Sequence, residues 1–306
     1  MEKNNLHLEL ATSKVLDSKA KTLFENLKKS GEFSLKSIPK NEIGDELFSY
    51  ILFKKRHERE PSDINLFLDF MYQLKVSKEL ESPIRQFITD KEYLKIFVRG
   101  TIGDEFNVPT KGILKTKKDV AEFEFPKKCV IKPTHYSGEV IIRDKEQPLE
   151  LKRINDWLAK NYYNVLRERN YLNLQPKIII EPLLFDNPNL IDYKIFCFKG
   201  KPKLISVDVN RFSNKRRRAI YDSNWNKLDF SISEKKYEFP LVEPENLKLM
   251  LSVAEKLSAH FSFIRVDLFS DGKNCKVGEL TNLHGAGISK FIPTTGEKIF
   301  SQILFS

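Results

Sequence analysis

Apolar positions recur with two different periods along this chain, and the change from one to the other divides it. From residue 1 to about 88 the period is helical. Leu16, Ala20, Leu23, Phe24 and Leu27 form one stripe, and the spacing returns over Ile64 to Leu74 behind Pro61-Ser62-Asp63, which reads as a helix cap. The string Lys54 to Glu60 is mixed in sign and reads as a solvated helix face. From Asp90 onward strands and helices alternate. A short helix through Ile96 to Val98 leads to Gly100-Thr101-Ile102-Gly103 and a strand over Val108 to Leu114. Strands Cys129 to Pro133 and Val140 to Arg143 flank a small-residue loop, an amphipathic helix runs from Leu151 to Glu168, and the strand beginning at Lys177 breaks at Pro182. After a turn at Asp186 to Asn189, Asp192 to Phe198 and Leu204 to Val209 make a hairpin around Lys199-Gly200-Lys201. A helix over Pro244 to His260 delivers the chain to two further strands, Phe263 to Phe269 and Cys275 to Leu280, joined at Ser270-Asp271-Gly272. No repeat, low-complexity tract or flexible interdomain linker interrupts this order.

Composition narrows the class. With 306 residues, 41% hydrophobic and 31% charged, the chain is long enough for a substantial core. Its apolar runs fall short of a membrane span and its polar start, MEKNN, is no signal peptide, so the cytoplasm is the expected location, with peripheral attachment at the inner membrane face left open. Cys129, Cys197 and Cys275 lie far apart in apolar runs and read as buried thiols. The net charge of +10 suits nucleic acid, a phosphate-rich substrate or anionic lipid equally.

The candidate chemistry lies where charges interrupt apolar strands, because a buried charge is costly unless a partner or metal compensates it. Arg265, Asp267 and Glu279 do so in the last two strands, and suggest a polyanion held through a divalent cation. Lys132 reads either as an edge lysine or as a phosphate ligand; Thr134, Ser137 and Gly138 follow it and can close over phosphate oxygens. Pro182 ends its ladder, freeing the backbone of Glu181 and Leu183 for an adenine edge. Asp208 and Arg211 end a strand as site residues would, whereas Lys215 to Arg218 reads as a basic patch or an exposed loop.

Six segments in order resemble the ATP-grasp superfamily, and within it the TupA-like branch named for teichuronopeptide biosynthesis: TDK at Asp90-Lys91, VIKPTHYSG at Val130 to Gly138, IIIEPLL at Ile178 to Leu184, DYKIFCFKGK at Asp192 to Lys201, DVNRF with YDSNW at Asp208 to Trp225, and RVDL with GELT around Arg265 and Glu279. The resemblance covers about Asp90 to the C-terminus. It implies an α+β, ATP-grasp fold with the nucleotide held between two α+β subdomains: a helical region at 1–88, the first part of the module at 89–184, and a metal-bearing subdomain at 185–306. It further implies that Lys91 and Lys132 hold phosphates with Ser137 and Gly138, that Glu181, Pro182, Leu183 and Leu184 form the adenine hinge, and that Asp192, with Lys194 near it, takes the ribose or is an exposed hairpin acid. Arg211 and Arg265 resemble arginines that hold the transferring phosphate, while Asp267 and Glu279 resemble magnesium ligands. The third ligand, an asparagine two residues after the glutamate in the family, falls on Thr281, with Asn282 next. THYSG stands where NHGSG is expected, so Tyr136 replaces a glycine. His284 reads as a lone core histidine, a substrate contact or a general base.

The activity implied is an ATP- and magnesium-dependent carboxylate–amine ligase, with two ions and an acylphosphate intermediate, joining an amino acid or other amine to a uronic or sugar-linked acid of a cell-surface polysaccharide. A kinase acting on a sugar or small-molecule hydroxyl would use the same nucleotide site. A basic nucleic-acid-binding protein is the third reading, against which no aromatic RNA-binding signature accompanies the basic run, so no specific nucleic acid is expected.

Overall fold

The computed structural model describes residues 15–31, 33–62, 65–145, 148–184, 191–209 and 216–306. Arg211, Asp63, Ile64, the turn at 186–189 and Lys215 lie outside the described residues. The helical first part comprises α1 (Ser18–Lys29), α2 (Glu42–His57), α3 (Phe67–Val76) and α4 (Pro83–Thr89). Asp17 caps α1 by accepting from the Lys19 N–H at 2.8 Å, and Asn41 caps α2 by accepting from Gly44 at 2.9 Å.

The start of α3 departs from the sequence expectation. The helix begins at Phe67, and Leu66 at its N-cap offers no side-chain acceptor. Its first N–H groups are instead satisfied from the far end of the chain: Phe67 N–H donates to the Ser301 hydroxyl at 2.8 Å and Leu68 N–H to the Glu297 carboxylate at 3.1 Å. Both acceptors sit on α10 (Gly296–Leu304). Ser301→Ala is expected to lower stability by about 1–2 kcal/mol, read by urea unfolding, because a buried N–H loses its only cap. The string Lys54 to Glu60 is also less solvated than its charge suggests. Arg59 pairs through both terminal nitrogens with buried Asp69 at 2.7 Å, because the left-handed turn at Glu58 after α2 brings it onto α3.

Next come α5 (Lys91–Ile102) and a small antiparallel sheet in the order β1-β4-β2-β3. Its strands are β1 (Gly112–Leu114), β2 (Cys129–Pro133), β3 (Ile141–Arg143) and β4 (Ile178–Glu181). One face is covered by α6 (Lys117–Glu122) and α7 (Leu151–Trp157) around Ile131, Ile154, Trp157 and Ile180. The expected long helix from Leu151 breaks after Trp157 and resumes only as the single turn α8 (Tyr163–Leu166).

The large sheet runs β11-β10-β5-β6-β7-β8, antiparallel throughout. It comprises β5 (Ile191–Phe198), β6 (Lys201–Val209), β7 (Arg217–Asp222), β8 (Lys227–Leu228), β10 (Phe263–Ser270) and β11 (Cys275–Thr281), while β9 (Ser231–Ile232) and β12 (Phe291–Ile292) pair separately. Successive side chains point to opposite faces. Tyr193, Ile195 and Cys197 therefore pack with Val266 and Leu268 under α9 (Leu247–Ser258) and α5. The opposite face is split along its length. Phe196, Leu204, Ile220 and Phe263 join one apolar core with α1, α2, α3 and α10, with Phe67 in ring contact with Phe196, Phe263 and Phe300. Asp192, Lys194, Asp208 and Asp267 occupy the other half of that face, two to four residues further along the same strands. The three cysteines are free and buried, and among the described residues no helix is long and apolar enough to cross a membrane.

Candidate active site

A cavity of about 380 Å³ opens between the two sheets. The small sheet contributes Lys132, the Tyr136-Ser137-Gly138 loop and Glu181 through Leu184; α5 contributes Lys91; the large sheet contributes Asp192, Asp267 and Glu279. Eleven of the residues singled out in sequence thus meet in one place, drawn from segments almost two hundred positions apart: Lys91, Lys132, Ser137, Gly138, Glu181, Pro182, Leu183, Leu184, Asp192, Asp267 and Glu279.

The cationic wall starts at Asp90, which caps α5 by accepting from Glu92 N–H at 2.9 Å and also takes the Lys177 ammonium at 3.0 Å. That fixes Lys91 at the first turn, where its ammonium donates to the Tyr136 carbonyl at 3.0 Å. Burial pulls the Lys91 pKa down, opposed by Glu279 across the cleft. Lys132 reaches the Glu181 carboxylate at 2.7 Å, and Lys95 reaches its other oxygen at 2.7 Å. Burial favours the neutral acid, yet Lys132 and Lys95 hold Glu181 below the usual carboxylate range. The expected hinge residue is therefore also an electrostatic tie between strand and helix. Lys95 escaped the sequence reading, although its spacing of four from Lys91 already puts both on one helix face.

The loop after β2 differs from its expected use in one residue. Thr134 is fully buried, its hydroxyl donating to Asp90 at 3.2 Å and its N–H to the Lys177 carbonyl at 2.9 Å, so it braces the wall. Ser137 and Gly138 do line the cavity, and Gly138 takes φ +83°, a conformation that favours glycine, with open space where a Cβ would stand.

The acidic wall lies on β10 and β11, where Asp267 is register partner to Glu279 at an irregularity in the ladder. Arg265 grips both Asp267 oxygens at 2.6 Å, donates to the Thr281 hydroxyl at 2.9 Å and meets His284 Nδ1 at 2.7 Å. Of its five N–H donors these four contacts leave one. Burial disfavours the charge, but Asp267 keeps the Arg265 pKa raised above its ordinary value. Burial, followed by Arg265, pushes His284 well below its ordinary pKa. The ring is thus neutral, accepts at Nδ1 and carries its proton on Nε2, which is buried without a partner among the described residues. That geometry makes His284 a brace for Arg265 and leaves it no basic nitrogen facing the cavity.

Asn282 points away from the acids. Its Oδ1 accepts from Arg85 at 2.8 Å and its Nδ2 donates to the Thr89 hydroxyl at 3.0 Å, because alternation along β11 sends it to the face opposite Glu279 and Thr281. It is corrected here from metal candidate to structural residue. Lys194 likewise lies beneath the wall, pairing with Asp192, with Asp208 at 3.2 Å and with Asp267 at 4.0 Å, and is absent from the cavity lining. Two of the three described members of the basic run turn inward: Arg216 and Arg218 pair with Asp208 at 2.7 and 2.6 Å, and Arg216 also lines the cavity. Asp208, pulled upward by burial, is held far below the carboxylate range by Lys194, Arg218 and Arg216.

The residues fit magnesium and nucleotide phosphate. Glu279 lines the cavity beside Asp267, and no described residue bonds its carboxylate. Magnesium commonly takes one or two carboxylates together with phosphate oxygens, which is the donor set these two acids offer facing Lys91 and Lys132.

No curated protein sequence matches the chain. Among solved structures it is similar to D-alanine–D-alanine ligase from Helicobacter pylori, at 16% identity over 71% of this chain and 59% of that one, TM-score 0.39. It is also similar to L-amino acid ligase from Bacillus licheniformis, at 15% identity over 80% and 56%, TM-score 0.43. A third is the ATP-grasp ligase PsnB complexed with minimal precursor, at 12% identity over 70% and 60%, TM-score 0.36. The chain spans a little over half the length of these solved chains, and likeness at this level says nothing of substrate. The family described as TupA-like ATPgrasp matches residues 72–304, and the chain belongs to it.

Proposed function

We propose that the protein is an ATP-dependent carboxylate–amine ligase, and that its acid is a uronic or sugar-linked carboxylate of a cell-surface polysaccharide. One observation carries the ligase reading: a single cavity faces two lysines, Lys91 and Lys132, toward two carboxylates, Asp267 and Glu279, with family membership behind it. In this reading Lys91 and Lys132 bind the phosphates, Glu181 to Leu184 border the base, and Asp192 lies toward the ribose. Arg265 holds Asp267 in place and keeps one N–H for the transferring group; Arg211 is proposed for the transferring phosphate from the family pattern alone. Magnesium, two ions in the reading argued from the sequence, would be held by Asp267 and Glu279 and would neutralise the phosphate oxygens. The substrate carboxylate attacks the γ-phosphate, giving ADP and an acylphosphate, and an amine then displaces phosphate. Positioning and charge neutralisation suffice for this, so no protein nucleophile is required.

The test is mass spectrometry of products from uronic acids and amines incubated with ATP and magnesium. ADP, free phosphate and an amide are expected; a phosphorylated acceptor without free phosphate would replace the ligase by a kinase. Lys132→Ala is expected to raise the KM for ATP by about 10- to 100-fold, the worth of one hydrogen bond to a charged group, and an unchanged KM would remove Lys132 from the phosphate site.

A further inference from the structure

One cation on the large-sheet wall of the cavity has no part in holding the nucleotide. Among the described residues the cationic side chains lining the cavity are Lys91, Lys132 and Arg216, and only Arg216 comes from the large sheet, whose other charged lining residues are Asp192, Asp267 and Glu279. Arg216 stands just before β7, across β6 and β5 from the metal-facing acids of β10 and β11. Two acids fix it: its terminal nitrogens meet Asp208 at 2.7 Å and Glu234 at 3.2 Å. Neither acid is fully its own. Both Asp208 oxygens also accept from Arg218, at 2.6 and 3.1 Å, and one of them lies 3.2 Å from the Lys194 ammonium, while Glu234 is partly exposed. Of the five N–H donors on a guanidinium, three therefore remain, and one of these, on Nε, is shut away from water without a partner among the described residues. Arg218 is the contrast. It is 5% exposed, spends its donors on Asp208 and on the Ile232 carbonyl at 2.6 Å, and does not line the cavity, whereas Arg216 is 31% exposed and opens onto it. The Asp208 oxygen that holds Arg216 is the one that meets Lys194, and Lys194 lies 4.0 Å from Asp267, so a row of charges joins Arg216 to the metal-facing end.

We propose that Arg216 binds the carboxylate of the acid substrate, a uronate, and presents it to the γ-phosphate. Two lysines and magnesium neutralise the nucleotide phosphates in the ligase reading, on which this inference rests, but the acid has no cation there. The need for one is electrostatic. Carboxylate and γ-phosphate are both anions, and like charges brought to bonding distance repel more strongly in a cavity than in water. An arginine already fixed by two acids loses little freedom on binding, and its planar fork suits a carboxylate. With one oxygen held by Arg216, the carboxylate forms a bond from its other oxygen to the γ-phosphorus. The bond from that phosphorus to ADP breaks, its electron pair leaves on ADP, and Arg216 neither gives nor takes a proton.

The test is calorimetric titration of the full chain, loaded with magnesium and ADP, with glucuronate and galacturonate, and with glucose and galactose as their uncharged counterparts. At least one uronate is expected to bind about tenfold or more tightly than its neutral sugar. Arg216→Gln is expected to weaken that uronate by about 10- to 100-fold, the worth of a hydrogen bond between charged groups, and to leave the affinity for magnesium and ADP unchanged. Asp208 keeps Arg218 and Lys194 in the variant, so its charge stays paired. A variant that binds the uronate as wild type does would overturn the assignment. If that variant also loses the preference for a non-hydrolysable ATP analogue over ADP, Arg216 belongs to the γ-phosphate instead. Wild-type protein that holds magnesium and ADP but favours neither uronate over its neutral sugar overturns the subsite without recourse to any variant. Wild-type protein that fails to bind magnesium and ADP would sink the nucleotide reading itself.

Discussion

Glu279→Gln is expected to reduce ATP-dependent product formation by about 10²–10³-fold, the size of effect seen when a group aimed at developing charge is removed, while leaving the melting midpoint unchanged. The second half of that expectation follows from geometry. Glu279 has no bonded partner among the described residues, so replacing one carboxylate oxygen by an amide nitrogen breaks nothing in the fold. Asp267→Asn should abolish turnover as well, but it is a poorer probe. Both Asp267 oxygens accept from Arg265, and an asparagine leaves a buried guanidinium with half its support. Steady-state assay of ADP release beside a thermal melt checks both halves. Near-normal turnover of the glutamine variant would remove Glu279 from the metal site.

Arg85→Ala is expected to lower stability by about 3–5 kcal/mol, because the buried Phe263 carbonyl and Asn282 Oδ1 each lose a charged donor, while the half-exposed Glu79 carboxylate returns to water. For a chain of this size that is a fall of about 5–15 °C in melting midpoint. Arg85 is 1% exposed on α4 and gathers four acceptors: the Phe263 carbonyl at 3.1 Å, Asn282 Oδ1 at 2.8 Å, the Ser262 hydroxyl at 3.2 Å and the Glu79 carboxylate. It also lies over the Phe261 ring at 5.2 Å. Together these pin the beginning of β10 to the end of β11, so the loss should register as destabilisation first. Differential scanning calorimetry decides it, and a shift of only a degree or two would show that the network is dispensable.

Much of the site was legible in the sequence because charges inside apolar strands are rare enough to notice. Lys132, Asp267 and Glu279 stood out on that ground, and the order of six segments supplied the rest. What sequence could not show was where the charges discharge. Asp208 and Arg216 looked like separate features and are bonded to each other, since that pairing is made across strands. Asn282 looked eligible as a ligand until alternation along β11 turned it toward Arg85. Lys75 and Glu168 drew no attention, because each is an ordinary charge on a helical stretch and only tertiary packing buries it. The same holds for the start of α3, whose cap comes from α10, more than two hundred residues later.

The division of the large sheet's face has a consequence for how this protein can fail. On β5, Asp192 lines the cavity and Lys194 pairs with acids beneath its wall, while Phe196, two positions on, belongs to the core built with α3 and α10. One reading frame sets both. An insertion of one residue early in that strand would reverse every later side chain, sending Phe196 under α9 and α5 and Ile195 and Cys197 toward α3 and α10. Misfolding and loss of chemistry would then be one event. Single-residue insertions are therefore expected to be tolerated best where strands end and least within β5.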